Sequence, residues 1–566
     1  MSGEKAVQRI AWVLILLFVA GGVTAQTSRP TDSALRVPQG LPALAGNKAV
    51  TFEELVDRSI AQERRLVELM KNFRPVVETY LQQEGPDSEL VSSPKNDDYF
   101  LSRLDLTGSS PSSQQFADPE RSKKPAEKKS AKDEKRFTAR HFAQAVFIDQ
   151  DHFDRQNYKF EFVRWEILGD VRCAAIDVRP REATENRGFM GRIWVEDQDF
   201  NVVRFNGTYT AARSFHFDSW RLNILGVRWM PAYIYSQESN PEAPDTHIPW
   251  FKAQTRIWGY DLEHAGDHRE YAKPLTDTPA WVDPKRHEAS QDLNPAYTLG
   301  SETYTPEDNV VERLQVAGLM APDGDVDRIL ETVVNNLQIT NNLDIAALRC
   351  RVLLTTPLES FVVGRTIVVS KGLLDVLPDE ASLAAVLAHE LAHIVLKHSL
   401  SGEYLTSLAS PFSDLEIFSR FDFRFTGAQE AQADVTGQEL LSNSPYKNQL
   451  GHAGLFLKAL EARSRQLPNL MHGRFSNDFG SSHLVGMSTL TSSGGRLQMS
   501  RLDQVAALPL GSRITVDPWS DRIEMRKMKA VTPESAAEKM PFEVSPFFPH
   551  LKRLDGQPKA QAAVRP

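Results

Sequence analysis

Apolar positions recur along this chain with two different periods, and the change of period divides it. From Thr51 to Gln82 the pattern is that of an amphipathic helix, with Phe52, Leu55, Ile60, Leu66, Leu69 and Met70 marking an apolar side and many charges opposite. Over residues 139–264 the period falls to two. Tyr158, Phe160 and Phe162 alternate with Lys159 and Glu161, as in a strand with one wet face. Ile193-Trp194-Val195 and Val202 to Phe205 flank Glu196-Asp197-Gln198-Asp199, which has hairpin-turn chemistry. Trp229 to Tyr235 and Thr255 to Tyr260 predict further strands, and the dense aromatics suit a curved antiparallel sheet. Helical spacing returns over 311–507, with one short strand region inside it. A last strand is predicted near Arg513 to Val516.

The stretches between these patterns read as connections. Residues 26–105 are a Pro/Ser/Thr/Gly-rich linker and then the helical segment. Residues 106–138 run from Ser and Pro into Lys and Glu, a low-complexity stretch expected to stay flexible because it has too little apolar surface to bury. Residues 265–310 read as a second linker, and 508–566 as a C-terminal extension, Pro- and Lys-rich and partly disordered. Residues 1–25 have the form of an export signal: Lys5 and Arg9, an apolar run from Ile10 to Val23, then Val23-Thr24-Ala25 before Gln26. The expected location is therefore periplasmic or secreted, with an uncleaved N-terminal anchor as the alternative.

Composition narrows the reading little. A chain of 566 residues is expected to form two or three domains. A net charge of −9 argues against a nucleic-acid partner. Cys173 and Cys350, the two cysteines, fall in different predicted domains and read as buried small hydrophobes rather than a thiolate cluster. The fold class expected is α+β and multidomain: a mainly helical domain preceded by an antiparallel β domain, a curved sheet or half-barrel.

Candidate chemistry concentrates in one helix. Pro378-Asp379-Glu380 is a helix start, and Leu383, Val386, Leu387, Leu391, Ile394 and Val395 mark the body of that helix as buried. Inside it stands His389-Glu390-Leu391-Ala392-His393. Histidines four apart leave one helix face together and can grip one ion, while Glu390 is placed to take a proton from water. A catalytic zinc needs a third protein ligand. Leu396 and Ser399 stand where a metzincin would have glycine and histidine. His398 is expected to face another side of the helix, near its end. Glu430 is the better third ligand, in Gly427-Ala-Gln-Glu430-Ala-Gln-Ala-Asp434, with Glu416 and Glu439 as rivals. Asp434, one turn on, can accept the second N–H of a ligand histidine.

His389-Glu-Leu-Ala-His393 with Glu430-Ala-Gln-Ala-Asp434 downstream resembles the gluzincin metallopeptidases of the HtpX and CAAX-prenyl-protease type. Ile367-Val-Val-Ser-Lys-Gly372-Leu-Leu matches the strand and turn leading to the active-site helix in that family. The resemblance covers about Asp325 to Gln504. It implies one zinc ion per chain, polypeptide substrates, and a small sheet from Arg351 to Thr356 and Phe361 to Ser370, turning at Gly364-Arg365, whose edge takes substrate. Ser481-Ser482-His483-Leu484 departs from the family's Ser-Thr-His-Pro, and Arg496 lies farther downstream than the family's arginine. His483 and Arg496 are thus the candidates for stabilising an oxyanion. Gly191-Arg192-Ile193-Trp194-Val195 and the strand after it resemble the lipoprotein-carrier, LolA-like half-barrel. The function these features imply is an exported zinc metalloendopeptidase of envelope protein quality control. The alternatives are an envelope assembly chaperone with gated proteolysis, or a protein that contacts lipid or lipoprotein through the β domain.

Overall fold

The computed structural model describes residues 51–87, 91–106, 112–115, 139–181, 188–210, 215–224, 228–239, 249–260, 310–311, 314–315, 317–377, 379–398, 423–471, 475, 514–516, 523–525, 544 and 548–553. The expected signal at 1–25 and the linker over 265–309 lie outside these residues. The class is α+β. Helix α1 (Phe52–Met70) leads into strands β1 (Val76–Asp87), β2 (Val91–Asp105) and β3 (Ser112–Gln115), then the short α2 (Ala139–Gln144). Next comes a meander: β4 (Tyr158–Leu168), β5 (Val171–Pro180), β6 (Phe189–Glu196), β7 (Val202–Tyr209), β8 (His216–Ile224), β9 (Arg228–Ser239) and β10 (Pro249–Trp258). These ten strands form one open antiparallel sheet in the order β3-β2-β1-β10-β9-β8-β7-β6-β5-β4.

Three expectations change here. The helical pattern stops at Met70, not Gln82, and residues 76–87 and 91–105 are sheet rather than linker and helix. Pro75 supplies the reason, since the residue before a proline is pushed out of helical conformation, and Val76, Val77 and Thr79 then favour a strand. Ser112–Gln115, inside the stretch read as low complexity, pairs with β2. The C-terminal extension contributes the hairpin β14 (Ile514–Val516) and β15 (Ile523–Met525), and a further segment packed on the sheet.

The second half carries α3 (Asp325–Thr340), β11 (Arg349–Leu353), β12 (Ser360–Val363), β13 (Thr366–Ser370), α4 (Lys371–Val376), α5 (Glu380–Val395), α6 (Gly427–Ser442), α7 (Leu450–Ser464) and α8 (Pro468–Met471). The small sheet runs β11-β13-β12, with β12 at an edge and against α5. Helices α3, α6 and α7 surround α5.

Buried polar side chains tie this helical half to the large sheet. Glu78 of β1 is 1% exposed. It accepts hydrogen bonds from Tyr99 Oη at 2.8 Å, Arg256 Nε at 2.9 Å, Thr356 N at 2.6 Å and Thr356 Oγ1 at 2.7 Å. Asp97 of β2 likewise accepts from Asn469 N at 2.9 Å and Leu470 N at 2.8 Å. Burial raises the Asp97 pKa, and these donors work against that rise. On the other face, Phe142 of α2 packs edge-on to Phe251, and buried Glu63 of α1 pairs with buried Arg221 of β8. The cysteines are both free and buried.

Glu78→Ala leaves Arg256 and the Thr356 amide without their shared acceptor. Removing one partner of a buried ion pair costs about 3 kcal/mol or more. Urea unfolding should show that loss, and a change under about 1 kcal/mol would refute the clamp.

Candidate metal centre

Helix α5 is apolar on nearly every side, the pattern of a helix enclosed by others. The Asp379 carboxylate starts it by accepting the Ser382 N–H at 2.8 Å, and every residue from Ala381 to His393 is buried. Helix α6 begins on a capping box, Thr426 Oγ1 accepting from Gln429 N at 3.4 Å and Gln429 Oε1 from Thr426 N at 3.0 Å. Gly437 lets the two helices meet: a Cβ there would stand 3.2 Å from Ala388 O and His389 Cα.

His389 and His393 emerge from one face of α5, their Nε2 atoms 3.1 Å apart. Glu430, in the first turn of α6, turns its carboxylate to both, with Oε2 3.1 Å from His389 Nε2 and Oε1 3.7 Å from His393 Nε2. The donor atoms of these three buried residues lie within 4.8 Å of one another. Glu439, a rival by sequence, is exposed, and Glu416 lies outside the described residues, as do His483 and Arg496.

The outward ring nitrogens decide where the inner lone pairs point. His389 Nδ1 lies 2.9 Å from Asp434 Oδ1. His393 Nδ1 lies 3.0 Å from His398 Nδ1, and His398 Nε2 lies 3.1 Å from Gln432 Oε1. A carbonyl oxygen only accepts, so His398 carries its proton on Nε2 and accepts through Nδ1. His393 then carries its proton on Nδ1, which leaves its Nε2 lone pair directed at Glu430 and His389. Holding the outer N–H of a metal-binding histidine in this way fixes tautomer and ring orientation together.

His398 therefore corrects the sequence expectation, which turned it away from the site. The helical spacing of α5 does not extend as far as residue 398. Lys397 adopts φ +55°, and the chain closes with His398 N donating to His393 O at 3.0 Å and Lys397 N to Ile394 O at 3.1 Å. This is a Schellman ending with lysine in the place usually held by glycine, and it swings His398 back over His393. No periodicity in the sequence signals it. Two further residues of the site carry no sequence signal. Ser360, on β12, donates its hydroxyl to Glu390 Oε1 at 2.6 Å. Phe425 stacks on the His393 ring at 4.0 Å and 17°. Ser360, Phe361, Phe423 and Phe425 line the site with His389, Glu390, His393 and Glu430.

Electrostatics here are set by burial and its compensation. For His389 burial opposes a charge, but hydrogen bonds to Asp434 and Glu430 override it and raise the pKa to about 10. For Glu430 burial pulls upward, and the two imidazoles bring the carboxyl down to about 2. Burial lowers His393 to about 4 and raises Glu390 to about 7. A buried carboxylate facing two imidazole nitrogens needs positive charge among them. A proton on His389 meets part of that need, and a divalent cation held by all three residues would meet it fully. Two imidazoles and one carboxylate are also the donor set that zinc takes in hydrolytic sites. The residues fit the metal.

Two imidazoles, a carboxylate and a second buried carboxyl beside them are the parts that a metallopeptidase uses. Residues 321–432 match the model of Peptidase family M48, a span that includes His389, Glu390, His393 and Glu430 and ends before Asp434. No curated protein matches the chain. Among solved structures, it is similar to an outer membrane lipoprotein-sorting protein domain from Vibrio parahaemolyticus, at 9% identity over 36% of this chain and 92% of that one, with a TM-score of 0.19. A DUF1329 family protein from Desulfovibrio piger gives 8% identity over 38% and 97%, with a TM-score of 0.18. Likenesses of that size carry no functional meaning for this chain.

His398→Ala removes the acceptor for His393 Nδ1–H while leaving the donor atoms in place. Loss of such an outer partner weakens metal binding about 10–100-fold. Competition with a zinc-binding dye measures it, and unchanged affinity in the folded variant would contradict the relay.

Proposed function

We propose that this chain is an exported zinc metalloendopeptidase acting on polypeptides in cell-envelope protein quality control. The observation that carries this reading is the convergence of His389, His393 and Glu430, with Glu390 buried beside them. Zinc, when bound, supplies Lewis acidity that acidifies a water and polarises the scissile carbonyl. Glu390 accepts the water's proton and returns it to the leaving amine. Burial raises its carboxyl, which favours its holding the proton between the two transfers. Ser360 orients it through the 2.6 Å hydrogen bond. The edge of β12 offers backbone groups to an extended substrate, and on the family resemblance His483 and Arg496 are the candidates for oxyanion stabiliser. Export rests on the sequence of residues 1–25. Contact with lipid through the sheet is the lesser proposal, because most apolar positions of the described strands are buried, Ile167 of β4 and Met190 of β6 being the exposed exceptions.

A second reading, a chaperone whose proteolysis is gated, is favoured by the two phenylalanines that precede α6. Phe423 stacks on Phe361 of the substrate edge at 4.6 Å, and Phe425 covers His393. In that reading, substrate must displace both rings before it reaches Glu390.

Purified mature chain should degrade casein, and Glu390→Gln should abolish cleavage while zinc content stays at one per chain; equal activity in the variant would remove Glu390 from its role. Glu430→Gln should lose zinc by metal analysis, and full occupancy would point to another third ligand. Phe425→Ala distinguishes the readings: cleavage several-fold faster indicates a gate, and an unchanged rate an open enzyme.

A further inference from the structure

The segment Phe548–Arg553 lies on the large sheet with neither helix nor strand of its own. Leu551 is fully buried, and its carbonyl accepts from Asp170 N at 2.8 Å. Arg553 reaches a pair of acidic groups, Nη1 to Glu196 Oε2 at 2.7 Å and Nη2 to Asp197 Oδ1 at 3.0 Å. Phe548 meets the Trp220 ring edge-on at 6.2 Å yet remains 63% exposed.

The surface that receives this segment is organised by the sheet itself. Glu196 is held by the turn after β6, accepting from Gln198 N, Asp199 N and Asn201 N at 2.9, 3.0 and 3.0 Å. Its carboxylate is thus fixed whether or not an arginine arrives. The Arg204 guanidinium is sandwiched between Trp194 and Trp220 at 4.3 and 4.4 Å, and Asp218 holds it from the side at 2.8 Å. This makes a rigid aromatic wall. Gly169, at φ +63° in the turn between β4 and β5, forms a cradle for Leu551: a Cβ there would lie 2.4 Å from the Leu551 backbone N and O. One fixed acidic socket, one leucine site, one aromatic wall and one backbone donor are the parts of a peptide-recognition groove.

We propose that this face is a peptide-binding groove, which the chain fills with its own Phe548–Arg553 and which accepts in trans an extended peptide carrying leucine and arginine spaced as Leu551 and Arg553. The bound segment reads out the specificity: a buried leucine side chain whose backbone Gly169 admits, a guanidinium in the socket, and an aromatic ring against Trp220. Among the described residues the segment is held at separate points, by the Leu551 carbonyl on Asp170 N, His550 Nε2 3.1 Å from Asp170 Oδ1, and the Arg553 ion pairs, while Phe548 stays largely exposed. Because the occupant is tethered, its high effective concentration keeps free peptides out until it is weakened or outnumbered. This proposal does not depend on the metallopeptidase reading.

The test uses the full chain and a fluorescein-labelled peptide with the sequence of residues 544–555, monitored by anisotropy. Leu551→Ala with Arg553→Glu in the chain should empty the groove and tighten binding of the labelled peptide at least tenfold over the unaltered chain, at one peptide per chain. The same two changes in the peptide should abolish binding, and an unrelated peptide that keeps Leu-x-Arg should compete where its scrambled form does not. A folded double variant that binds no better than the unaltered chain, or binds the altered peptide equally well, overturns the proposal. Should the double variant not fold, a specific protease site inserted between residues 526 and 543 of the otherwise unaltered chain decides. After cleavage, exchange of the native segment for labelled peptide supports the groove. A segment that stays bound and admits no peptide shows a fixed strap and rejects it.

Discussion

Everything at the centre of this protein depends on keeping ionisable groups in a helix interface that excludes water. Glu390, His389, His393 and Glu430 are all at least 97% buried, among apolar side chains that could not solvate a lone charge. Such groups persist only when each charge is answered by another or by a bound cation. Asp434 answers His389, the two imidazoles answer Glu430, and His398 with Gln432 completes the hydrogen bonding of His393. The packing of α5 against α6, the glycine at 437 and the capping box at Thr426 all serve to hold that set in register. The same enclosure that makes the cluster costly without compensation raises Glu390 and lowers His393, each toward its neutral form.

The large sheet is part of this arrangement rather than an appendage. Glu78 and Asp97 enter the helical half at the loop before β12 and at α8 respectively. From α8 the contact continues inward: Leu358 N donates to Leu470 O, and Glu359 accepts from Phe475 N. Ser360, next in the chain, touches Glu390. The elements that position Glu390 are thus anchored at one end on β1 and β2.

Legibility from sequence tracked how local each determinant was. The His389-Glu-x-x-His393 pair and the Glu430/Asp434 turn are helical spacings, so the residues announced which face they share. In the meander, β4, β6, β7, β9 and β10 carried a legible strand pattern for the same reason, while β5 and β8 did not stand out singly. Strands β1 and β2 did not. Their core-facing positions include Glu78, Gln82, Glu84 and Asp97, polar residues that resemble a helix surface until their partners at Arg256, Thr356 and Asn469 are known. His398 was hidden by a single backbone torsion at Lys397. Ser360 and Phe425 act across the fold, and short-range pattern carries no trace of such contacts.

The pairing of Val76 with Trp258 bears on biogenesis. Strand β1 is made early, yet its second neighbour, β10, is translated long afterwards. Until then β1 presents an unpaired edge, a template for wrong partners, and closure must bring together segments far apart in sequence, which is slow. Only after β10 docks can Arg256 meet Glu78, and only then is the receptor for Thr356 complete. The helical half would therefore mature last, on a platform that must close before the elements holding the His389–Glu430 cluster reach their final places.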